Sequence, residues 1–78
     1  MTWLEDVTRH VAQQTGIDAA ALVVSEDDAQ TLLDLAGYAA HETGERTNAP
    51  LLCHVAGLAV ARGASLAAVD AAVREYRA

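Results

Sequence analysis

The sequence predicts an all-α protein, a compact bundle of four short helices, and three observations carry that prediction. Of the 78 residues, 18 are alanine, the strongest helix former. Apolar positions recur at spacings of three and four residues in separate stretches, the period of a helix with one buried face. Each stretch opens on a hydroxyl or proline start signal, and glycines stand just past the first three. No linker, internal repeat or low-complexity stretch interrupts the pattern, so residues 1–78 read as a single helical domain.

The first helix is expected over about residues 3–15. Thr2 and Glu5 have capping-box spacing, in which a hydroxyl and a carboxylate satisfy free amides at the helix start. Trp3, Val7 and Val11 then recur every fourth residue, with Leu4 beside them, and Gly16 offers the left-handed residue that ends helices at low cost. Ile17 to Val24 has two readings: Asp18 can cap a helical turn near 19–22, whereas Leu22-Val23-Val24 alone resembles a strand. The turn is preferred because an isolated strand has nothing to pair with.

Ser25 followed by Glu26, Asp27 and Asp28 opens a second helix over about 26–43, since three acids complement the positive end of the helix dipole. Ala29, Leu32, Leu33, Ala36, Ala39 and Ala40 are its expected buried face, and Gly44 its stop. Asn48 or Ala49 before Pro50 starts the third helix, over about 50–62, because proline is tolerated in a first turn. Leu51, Leu52, Val55, Leu58 and Ala59 form its expected stripe, with Gly63 beyond it. The small residues Ala56, Gly57 and Ala61 permit close helix approach. Ser65 caps the fourth helix, over about 66–77, where Leu66, Val69, Val73 and Tyr76 make the clearest stripe.

The core is expected to be thin. Hydrophobic residues make up 53% of the chain, but there is one Trp, two Tyr and no Phe, and a domain this small buries only about 60% of its unfolded surface. Trp3 is read as the anchor of the first helix in that core, the alternative being an exposed binding residue.

Composition also excludes functions. The net charge of −6 and the lack of clustered basic residues argue against nucleic acid and anionic membranes. No apolar run reaches the roughly 18 residues of a membrane span, and Glu5 and Asp6 stand where a signal peptide carries positive charge. With a single cysteine, Cys53, no internal disulfide is available, and a cytoplasmic location is expected. Charge is split unevenly: residues 1–45 hold nine acids against Arg9, or −8, and residues 46–78 hold two acids against four Arg, or +2. Such halves attract each other, within one fold or between the two chains of a homodimer.

His41, Cys53 and His54 are the residues with metal-ligating chemistry, because a hairpin of the second and third helices brings His41 level with Cys53 or His54. Structural zinc requires four ligands, however, and adjacent Cys and His point to different helix faces. No metal site and no cofactor is therefore expected, with Cys53 a small packing residue and the histidines surface groups. A nucleophilic Cys53 near a helix N-terminus, with His41 as base, is set aside because so small a bundle offers little room for a substrate cleft. His10 is read as a solvated or half-buried imidazole. Glu26-Asp27-Asp28 lacks the alternating ligands of a calcium loop. The Asp-Ser-Leu attachment motif of acyl carrier proteins is absent, as are phosphate-binding glycine loops and paired cysteines.

Leu33-Asp34-Leu35-Ala36, Ala40-His41, Glu45-Arg46, Ala49-Pro50-Leu51 and Ala56-Gly57-Leu58-Ala59, with Trp3-Leu4, Gly16-Ile17-Asp18 and the alanine-rich last helix, carry a family resemblance over nearly the whole chain. The sequence resembles a small actinobacterial helical domain of unknown function found alone or fused to molybdenum-cofactor guanylyltransferases. It departs from that pattern at Thr47-Asn48 and at Cys53-His54, which weakens any shared chemistry at the latter pair. The resemblance supplies no catalytic residues. It implies a cytoplasmic accessory module acting beside the enzyme that attaches a nucleotide to the molybdenum cofactor, with His41 and Arg46 as candidate interaction residues. Read without the resemblance, His41 caps the second helix and Arg46 pairs with Glu42 or Glu45 at the surface.

The expected function is thus a non-enzymatic protein-interaction module, with a molybdenum-cofactor guanylyltransferase as the implied partner. Two alternatives stand beside it: a small ligand- or metal-binding protein using the second and third helices, and a self-associating structural domain.

Overall fold

The computed structural model describes residues 2–77, which form α1 (Trp3–Thr15), a 3₁₀ turn (Ala19–Leu22), α2 (Glu26–Thr43), α3 (Asn48–Ala61) and α4 (Leu66–Glu75). Among the described residues there is no strand. The starts of α1, α2 and α4 follow from their caps. Thr2, Ser25 and Ser65 each accept, through the side-chain oxygen, the amide of the residue three positions on, at 3.1 Å. Asp18 Oδ1 likewise accepts the Ala20 amide at 3.1 Å and opens the 3₁₀ turn, the helical alternative of the two readings.

Glycine sets the exits. Gly63, at φ 104, lets its amide reach Val60 O (3.0 Å) and the Ala64 amide reach Ala59 O (3.1 Å). This Schellman pair satisfies two carbonyls left over at the end of α3.

α3 begins differently, at Asn48 rather than Pro50. Thr47 is already helical at φ −65 and ψ −22 and makes no side-chain cap bond. The start is prepared by tight turns, with the Asn48 amide on Glu45 O (3.1 Å) and the Ala49 amide on Arg46 O (3.2 Å). Pro50, now the third helical residue, still falls among amides that need no helical partner. α4 stops at Glu75, two residues short of the expected end, because Tyr76 turns to an extended ψ of 131.

α2 and α3 form an antiparallel hairpin, and α4 packs against both. Leu35 is fully buried at their centre, with Ala39 and Ala56 beside it. The thin core is as expected, and so are most of the inward residues of α2 and α4, but Leu33, Tyr76 and the α3 stripe depart from expectation, Tyr76 being 72% exposed beyond the end of α4. Leu33 is 69% exposed, and the buried line of α2 passes through Leu35. On α3 the packed stripe is Leu52, Cys53, Ala56 and Ala59, while Leu51, Val55 and Leu58 face outward. The reason is steric: α3 is apolar nearly all round, so hydropathy does not choose a face, and the side with the smaller residues approaches α2 most closely. Gly57 is not part of that approach, since nothing lies within 4 Å of a Cβ built on it.

α1 packs against the 3₁₀ turn and has no contact with α2, α3 or α4. Trp3 is accordingly 77% exposed and does not anchor a core. The molecule extends 41 × 25 × 20 Å with a radius of gyration of 13.6 Å, against about 11.5 Å for a globular domain of this length.

Candidate functional site

The α2–α3 turn is built around one hydroxyl. Thr43 Oγ1 donates to Ala39 O (2.7 Å) and accepts from the Glu45 amide (3.2 Å) and from Asn48 Nδ2 (3.0 Å). Gly44, at φ 70, makes the reversal between them. Last turn of one helix and first turn of the next are thereby joined into a single hydrogen-bonded unit. His41 and Arg46 stand exposed on that unit. Arg46 forms no ion pair with Glu42, Glu45 or any other described residue.

Beside the turn, the outward stripe of α3 and the ends of α2 and α4 enclose an open groove of about 990 Å³. Tyr38, Glu42 and Thr43 come from α2, Leu51, Leu52 and Val55 from α3, and Val73, Arg74, Tyr76 and Arg77 from α4 and its tail. Leu51 is 64% and Val55 56% exposed, so the floor is apolar and open to solvent. Arg74 is held over the Tyr38 ring at 5.0 Å and paired with Asp70 at 3.0 Å. Arg77 donates only to the backbone oxygens of Arg74 (2.8 Å) and Tyr76 (2.9 Å). Its charge meets no carboxylate among the described residues, at the groove's edge.

Cys53 lies on the opposite, packed face of α3. It is half-buried, with Sγ 3.8 Å from Leu32 O, and sits in the helix interface as a small packing residue. His54 is exposed, as is His41. Among the described residues no three His, Cys, Asp or Glu side chains gather where they could hold a metal ion, so His41, Cys53 and His54 are not brought into one such group. Nor is any described helix long and apolar enough to cross a membrane.

The model of the family described as a domain of unknown function, DUF6457, matches residues 1–78. The chain belongs to this family. No curated protein and no solved structure matches it. In this DUF6457 chain the exposed turn with His41 and Arg46 carries the positions singled out in the sequence, whereas the groove residues Leu51, Val55, Tyr76 and Arg77 were not among the candidates. A usable signal was present: α3 carries two apolar stripes, Leu52-Ala56-Ala59 and Leu51-Val55-Leu58, more apolar surface than one helix of so small a unit can bury.

Proposed function

We propose that the chain is a cytoplasmic, non-enzymatic accessory module that works by docking onto another protein. The observation that carries this reading is the surface it leaves uncovered. Its accessible area is 5960 Å², whereas a folded monomer of 8.2 kDa exposes about 4,500 Å². Among the exposed side chains are large apolar ones on α1 (Trp3, Leu4, Val11), the connection that follows it (Ile17, Val23, Val24) and the outer side of α3 (Leu51, Val55, Leu58). Apolar surface in such excess marks interaction sites.

The α2–α3 turn supplies the polar part of the docking face. It is held by the Thr43 hydrogen bonds, and its Arg46 guanidinium is free to pair with a partner's carboxylate; arginine is enriched among residues that dominate interfaces. The family resemblance supports a molybdenum-cofactor guanylyltransferase as that partner. Calorimetric titration of the domain against this enzyme from the same organism tests the reading. Binding at micromolar Kd or tighter, weakened about tenfold (~1.4 kcal/mol) by Arg46→Ala, is the expected outcome. No heat at several temperatures would remove this partner.

A further inference from the structure

We infer that a second copy of this chain occupies the groove of the first, with its α1 laid along the apolar floor, and that the two chains reciprocate. The inference assigns α1 and the groove floor to self-association and leaves the exposed His41 and Arg46 of the α2–α3 turn to a partner protein.

α1 and the groove are complementary and both uncovered. Trp3, Val7 and Val11 stand at i, i+4 and i+8, the spacing of a helix that binds by one face in a groove. Trp3 is 77% and Val11 43% exposed, with Val7 between them half-buried, and α1 meets no helix of its own chain. At 13 residues, α1 is about 20 Å long. The groove floor offers Leu51 and Val55, with the Tyr38 and Tyr76 rings at its sides.

Charge points the same way. α1 carries Glu5 and Asp6 in its first turn, and the groove edge carries Arg77 with no carboxylate partner among the described residues. α1 carries a net −1, Glu5 and Asp6 against Arg9, and the groove lining a net +1, Arg74 and Arg77 against Glu42, so each junction of a reciprocal pair joins surfaces of opposite sign.

The test uses the full chain, sedimentation equilibrium, and the emission of its one tryptophan, Trp3. Wild-type protein is expected to dimerise with concentration while Trp3 emission shifts to the blue as the ring leaves water. Val11→Asp on α1 and Val55→Asp on the groove floor each introduce a charge into the junction and are expected to weaken dimerisation by about a hundredfold or more. Both positions are solvent-exposed in the monomer, and circular dichroism confirms that each variant stays helical. The equimolar mixture of the two variants is decisive. A reciprocal dimer keeps one intact junction in the heterodimer, so mixing recovers at least about tenfold in affinity. Three results overturn the inference: a monomer at all concentrations with Trp3 exposed, which leaves the groove to another protein; a monomer with Trp3 already buried, which means α1 closes on its own chain; and a dimer that mixing does not rescue.

Discussion

Leu35 and Thr43 show how few atoms hold this molecule in shape. Leu35 is the only large side chain that is fully buried among the described residues, and the other buried residues of its unit, Ala39 and Ala56, are too short to reach into a vacated space. Leu35→Ala is expected to cost about 3 to 5 kcal/mol, as for fully buried leucines whose removal leaves a cavity. Urea denaturation measures it, and a loss under about 1 kcal/mol contradicts this account of the core. Thr43 works through hydrogen bonds. Thr43→Val keeps the volume but removes the acceptor for the Glu45 amide and Asn48 Nδ2; both donors are exposed and turn to water, so the expected loss is about 1 kcal/mol. The same variant is expected to loosen the α2–α3 turn, read as faster amide exchange at Glu45 and Asn48. The Thr43 hydrogen bonds are not legible in the sequence, because a threonine next to a helix-ending glycine has no mark separating a hub from a spectator.

The helices themselves are legible, and the reason is local chemistry. Thr2, Ser25, Ser65 and Asp18 each cap the segment they precede, a relation settled within three residues of chain. What the sequence leaves open is which side of a helix is inside. On α4, with polar residues on one flank, Leu66, Val69 and Val73 turn inward as their spacing predicts. On α3, which has no acidic or basic residue apart from His54, two stripes compete and the smaller one wins. Trp3 fails for another reason: size argues for burial only when a partner surface exists, and α1 has none in its own chain. The element scale also yields a stabilising change. Gly37 lies inside α2, and a methyl group added there would meet nothing within 4 Å, so Gly37→Ala is expected to raise stability by about 0.5–1 kcal/mol. An unchanged or lowered melting temperature means that this face is covered by something in solution.

At the scale of the whole molecule, stability is unevenly distributed. The three-helix unit shares one core, whereas α1 leans on a four-residue turn. Amides of α1 are expected to exchange quickly in dilute protein and slow markedly as concentration rises, while those of α2 and α3 change little. Hydrogen exchange followed by mass spectrometry at two concentrations reads this directly; slow exchange of α1 at both contradicts it. The layout has a kinetic side too. α2 pairs with α3, its neighbour in the chain, and α4 closes onto both after a short connection. Chains whose partners are near in sequence form them in microseconds to milliseconds, since little loop entropy is lost. The hairpin is complete in sequence at Ala61, so its formation needs nothing from α4, which then closes onto a surface already in place.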